Sequence, residues 1–84
     1  MRVLPRNGIA VTIAETIHWR LVADELPDAD TTVLVYAPGA SDPVWMGYYD
    51  DVYWFAVGGE EYGNDEEIAE AVVAWAPMPV ADML

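Results

Sequence analysis

His18 is the only histidine of the chain and Ser41 its only serine, with Asp42 beside the hydroxyl, so one serine–histidine–carboxylate relay could be drawn from these side chains. Such a relay needs an imidazole oriented by a carboxylate, an oxyanion hole and a sharply turned nucleophile, and no nucleophile-elbow pattern surrounds Ser41. Thr31 and Thr32 add nothing to it. His18 reads instead as a half-buried imidazole next to Trp19. Carboxylates offer a second chemistry. Asp50, Asp51, Glu60 and Glu61 lie near aromatic residues that could stack on a sugar, but a small meander rarely encloses a deep cleft for paired acid and base. Hard-cation binding is a third. Glu60, Glu61, Asn64, Asp65, Glu66 and Glu67 concentrate oxygens within one short stretch, yet without the D-x-[DN]-x-[DN]-G spacing of a calcium loop. The reading therefore assigns no catalytic residue, no metal ligand and no cofactor, and expects a non-enzymatic protein.

Charge carries more information. The chain has three arginines, no lysine and fifteen carboxylates, a net charge of −12 over 84 residues. Arg2, Arg6 and Arg20 all fall in the first twenty positions, so everything from Leu21 onward is anionic. A direct nucleic-acid binder neutralises phosphates with lysine and arginine, which this composition cannot do. An anionic membrane surface would repel it too. The field favours basic protein surfaces.

Apolar residues make up 55% of the chain, with four Trp, five Tyr and one Phe, which argues against disorder despite the charge. Each large aromatic can bury roughly 150–250 Å², enough for one small core. Cysteine is absent, so no disulfide framework or thiolate chemistry is available, and a cytoplasmic setting fits. The opening MRVLPRNGIAVTIAETIHW has a short apolar run broken by Thr12, read as mature sequence rather than a signal peptide. No stretch approaches the roughly 20 apolar residues of a membrane-spanning helix.

These residues need elements to hold them. Residues 1–16 read as an N-terminal hairpin or arm, with Asn7-Gly8 as the turn and Ile9, Val11 and Ile13 on one greasy face that either covers the domain's own sheet or pairs with a second copy to form a homodimer. Residues 17–84 form one compact domain. Ile17–Ala23 is a strand or irregular turn, and Asp24-Glu25-Leu26-Pro27-Asp28 is turn chemistry. Val33–Tyr36 reads as a buried strand, Val44–Tyr49 as the next and Tyr53–Val57 as a third, separated by Pro38-Gly39 and Asp50-Asp51, which is the pattern of an antiparallel meander. Asn64 reads as an N-cap with Glu67 three positions on, starting a short helix over Asp65–Ala71. Val72–Ala76 reads as a last strand before Pro77 and Pro79. The expected fold class is α+β, mainly β: an antiparallel meander of about four to five strands plus that helix. Its expected core is Trp19, Val33, Val35, Trp54, Val73 and Trp75.

In order, Trp19 with Val22, Leu26-Pro27, Val33-Leu34-Val35-Tyr36, Gly47-Tyr48-Tyr49-Asp50, Trp54, and Val73-x-Trp75-x-Pro77-x-Pro79 resemble the bacterial and phage family known as domain of unknown function 551. The resemblance covers about Ile17–Pro79. Two departures stand out: both Val72 and Val73 precede Trp75, and Glu60–Glu70 is unusually acidic. The resemblance implies a small sheet-based fold and a phage or prophage origin, and carries over no catalytic residue.

The chain also resembles small, acidic, cysteine-poor phage inhibitors of restriction and CRISPR complexes. The expected function is therefore a protein-binding inhibitor acting as a DNA mimic. Glu60, Glu61, Asp65, Glu66, Glu67 and Glu70 would carry the contact with a basic nucleic-acid-binding host complex, Asp50 and Asp51 would support it, and Tyr49, Tyr53 or Tyr62 would supply an aromatic anchor. Plain solubility also explains an acidic surface. A structural or interaction protein, or a module for a metal or small molecule, are the alternatives.

Overall fold

A computed structural model describes residues 12–58 and 64–81. Alternating apolar residues and short turns form strands β1 (Arg20–Leu21), β2 (Val33–Tyr36), β3 (Val44–Tyr49), β4 (Trp54–Ala56), β5 (Glu66–Glu67) and β6 (Ala74–Pro77). They make one antiparallel sheet in the order β1-β6-β2-β3-β4-β5. The meander β2-β3-β4 is as its turn signals require. Beyond it the chain adds β5 at one edge, then returns to insert β6 between β1 and β2.

No helix forms over Asp65–Ala71, which corrects the α+β expectation to all-β among the described residues. Glu66 and Glu67 pair with Ala56 and Phe55, and the Ile68 amide donates to the Trp54 carbonyl at 2.8 Å. Two physical causes favour the strand. A seven-residue helix is below the length that sustains itself, and Glu66 and Glu70 would face each other with like charge one turn apart. The open edge of β4 offers hydrogen bonds without that repulsion.

Register explains the two faces. Arg20, Trp75, Val35 and Trp45 occupy one row across four strands, and Leu21, Ala74, Tyr36 and Val44 the next, on the opposite face. The first face holds the core. Val33, Val35 and Trp75 are buried there, with Val22, Trp54, Ile68 and Val72 packed against them. Ile68 and Val72 belong to the return segment, which covers this face as a helix would in a two-layer fold.

Trp19 and Val73, expected in the core, are 43% and 42% exposed. Val72 takes the inward place instead. Trp19 lies before β1 and makes an edge contact with Tyr36, ring centres 6.1 Å apart, on the face opposite the core. β2 is likewise buried on one side only, with Val33 and Val35 in and Tyr36 out. Pro77 ends β6 where β1, paired only as far as Trp75, asks for no donor.

Trp75 ties distant segments together. Its indole Nε1 donates to the Glu25 carbonyl at 2.9 Å, and the Arg20 guanidinium carbon lies 5.1 Å from its ring centre. The Leu21 carbonyl accepts from the amides of Asp24 and Glu25, both at 3.0 Å, which forms the turn that presents that carbonyl. Of the N-terminal arm, residues 1–11 lie outside the described residues; residues 12–16 are exposed and not in a strand. The Glu15 carboxylate accepts from the amides of Val80 and Ala81 at 2.8 and 3.0 Å, joining the two ends of the described chain.

Gly47 is required by space. A methyl there would lie 2.3 Å from the Phe55 carbonyl oxygen and 2.9 Å from Val35 Cγ2. Gly47→Ala is expected to cost about 1–3 kcal/mol, lowering Tm by about 4–8 °C for each kcal/mol. Gly39→Ala, whose methyl would meet Glu70 Cγ at an ordinary 3.5 Å, should melt close to the parent in the same calorimetric scan.

Candidate functional site

The sheet order places the one described cation far from the β5 carboxylates. Arg20, the one cationic residue among those described, lies on β1, and Glu66 and Glu67 form β5 at the other edge. Five inter-strand steps put these edges about 24 Å apart, against a Debye length of about 8 Å at physiological salt. Arg20 therefore does not screen the β5 side. It pairs locally with Glu25, Nη1 to Oε2 at 3.0 Å, both side chains about half exposed.

On the β5 side the fold gathers carboxylates from separate stretches of sequence. Asp42 in the β2–β3 turn joins Glu66, Glu67 and Glu70 around a groove of about 320 Å³. Val35, Trp45, Ala56 and Ile68 supply its apolar lining. The Trp45 Nε1 donates to the Val57 carbonyl at 2.9 Å, which fixes the indole plane. The return segment closes back on the turn, so that Glu70 lies against Gly39.

Asp65 looks toward the sheet. Its Oδ2 accepts from the Tyr48 hydroxyl at 2.9 Å and its Oδ1 from the Gly58 amide at 3.2 Å. The hydrogen bond to Asp65 raises the Tyr48 phenol above its usual pKa, with added repulsion from the charges of Asp65, Asp30 and Asp50. Tyr48 thus marks a second anionic cluster. Cross-strand ring pairs hold β3 to β4, Tyr48 with Phe55 at 5.3 Å on this side and Tyr49 with Trp54 at 5.0 Å on the core face.

Asp50 shapes a turn. Its Oδ1 accepts from the amides of Tyr53 and Val52, at 2.6 and 2.8 Å, and its own amide donates to the Tyr53 carbonyl. These bonds, that from Tyr53 first, hold its carboxyl below the usual range. Asp51 follows at φ 78°, in the left-handed region that Asp tolerates.

Of the residues expected to meet a partner, Asp65, Glu66, Glu67 and Glu70 line this edge and return segment, and Asp50 and Asp51 lie in the β3–β4 turn. Glu60, Glu61 and Tyr62 lie outside the described residues. Among the aromatic candidates Tyr53 is 54% exposed, whereas Tyr49 is half-buried against Trp54. Asp42 and Trp45 belong to the groove but were not among the expected residues. Their signal, an indole three residues from a turn carboxylate, becomes legible only once β5 packs beside them. His18 is exposed before β1 rather than half-buried, and Ser41 sits in the β2–β3 turn. Among the described residues no cluster of three or more His, Asp or Glu side chains could hold a metal ion.

Comparison with protein-family models, with curated proteins and with solved structures finds no match to this chain.

Two outcomes follow from the electrostatics. Because the Asp50 carboxyl is depressed, its stabilisation is fully present above the ordinary carboxylate range and is lost as pH falls through its folded value. At neutral pH Tm should fall in the order parent, Asp50→Asn, Asp50→Ala, and the gap between parent and Asp50→Asn should close on acidification, as followed by circular dichroism. Self-repulsion among the gathered carboxylates gives the second: Tm should rise as sodium chloride goes from about 0.01 M to about 0.15 M, where the Debye length shrinks from about 30 to about 8 Å.

Proposed function

We propose that this protein is a phage-type, non-enzymatic inhibitor whose anionic β5 side takes the place of a polynucleotide on a basic, nucleic-acid-handling host complex of the CRISPR or restriction kind. The resemblance to the domain of unknown function 551 family is the source of the phage assignment. The observation that carries the reading is the gathering of Asp42, Glu66, Glu67 and Glu70 from separate stretches of sequence around one groove, while Arg20, the one cation among the described residues, is paired with Glu25 at the other edge. Solubility alone needs no such gathering, whereas a concentrated anionic patch steers a basic partner to one orientation. Asp65, Glu66, Glu67 and Glu70, with Asp42, form the contact, and Asp50 and Asp51 extend it.

A second reading, an interaction protein that assembles with itself, draws on a different surface. Trp19, Leu21, Tyr36, Val44, Val73 and Ala74 line a nearly uncharged groove of about 360 Å³ on the face opposite the core. Exposed apolar surface of this kind marks many association sites.

Capture from a bacterial lysate on immobilised protein tests the first reading. The bound proteins should be nucleic-acid-binding complexes, released by added duplex DNA and by rising salt. A Glu66→Gln/Glu67→Gln/Glu70→Gln variant should capture markedly less. Equal capture by both proteins, or capture that DNA does not displace, would sink the mimicry reading. Sedimentation showing a salt-resistant dimer that Tyr36→Asp dissolves would favour the second.

A further inference from the structure

The core face carries tryptophans at two places in a single row. At one, Arg20 lies over Trp75 and its guanidinium reaches the Glu25 carboxylate at 3.0 Å. Two strands away along the same register stands Trp45, 40% exposed, its indole fixed by the bond to Val57. Around it lie Asp42 and Glu70, with Glu66 and Glu67 also bordering the groove, and no arginine or lysine among the described lining residues. Among the described residues, aromatic face and carboxylate recur here with no arginine or lysine beside them.

We infer that this groove is a receptor for one arginine side chain of a basic protein partner. Three features of the groove select that occupant. An aliphatic stem matches the apolar lining of Val35, Ala56 and Ile68, and a planar guanidinium stacks on an indole while its N–H fork meets carboxylates. The volume of about 320 Å³ is at the low end of small-ligand pockets, about 300–1,000 Å³, and suits a side chain rather than a folded element. Lysine shares the charge but lacks the flat, weakly hydrated surface that stacks. The inference rests on the proposed reading of the β5 side as a protein-binding surface. It deepens that reading by naming the residue type the surface takes and the aromatic anchor it uses, Trp45 in place of the tyrosines.

Nuclear magnetic resonance on the ¹⁵N-labelled full chain, titrated with N-acetyl-arginine methylamide, gives the test. Saturable shifts are expected at the Trp45 indole N–H and the Ile68 and Ala56 amides. The Trp75 indole, already covered by Arg20, and Tyr36 on the other face should stay in place. The uncharged citrulline analogue should shift none of them. Trp45→Leu should weaken arginine association by roughly fivefold, the worth of an exposed cation–π contact. Asp42→Asn/Glu70→Gln, which leaves the indole in place, should weaken it further as salt is lowered relative to the parent. An unmoved Trp45 indole, or equal shifts with citrulline, overturns the receptor. The same variants in the lysate capture separate the two ideas. DNA-displaceable capture with no arginine response at Trp45 keeps the mimicry reading and rejects the groove, and a Trp45 response without such capture does the reverse.

Discussion

Trp75 is the residue on which the rest of the fold depends. It lies in β6, the strand inserted between β1 and β2, and is 5% exposed. Its ring fills the core beside Val33 and Val35, and its indole N–H reaches a carbonyl fifty residues earlier in the chain. A domain this small buries a modest share of its surface, so one large side chain carries a large part of the cohesion. The other fully packed positions of β6 are alanines, Ala74 and Ala76, which add little area of their own.

That insertion decides where the charges go. For β6 to enter between β1 and β2, the chain must cross from the β5 edge over the core face, and Ile68 and Val72 are the residues that make the crossing adhere. The crossing carries Glu70 toward the β2–β3 turn, where Asp42 and Trp45 already stand. Arg20 is left at the far edge, occupied by Glu25 and by Trp75 itself. One packing requirement thus produces a groove bordered by carboxylates from separate stretches of the chain.

The meander is legible in the sequence because its signals are local. Alternation in Val33–Tyr36 and Val44–Tyr49, with Pro38-Gly39 and Asp50-Asp51 between the runs, can be satisfied in few ways, and Asp50 closes its turn through bonds to residues two and three positions on. The helix expected over Asp65–Ala71 was equally well signalled by Asn64 and its acidic first turn, yet those cues are worth little beside an open strand edge. Asp65 was anticipated as a helix-start charge; instead its carboxylate bridges Tyr48 and Gly58. Val72 and Val73 show the same limit, since adjacent valines offer two parities and only the neighbours choose between them.

Composition and order alone determined that this would be a small, cysteine-free, antiparallel domain with a strong excess of negative charge and its basic residues near the start. Those properties depend on residue type and on contacts a few positions apart. Tertiary structure decided that β6 lies between β1 and β2, that Val72 rather than Val73 faces inward, and that Asp42 and Trp45 meet Glu70. Each of these is a pairing across a long loop, and its free energy comes from the burial and hydrogen bonds of surfaces that do not exist until the strands have met.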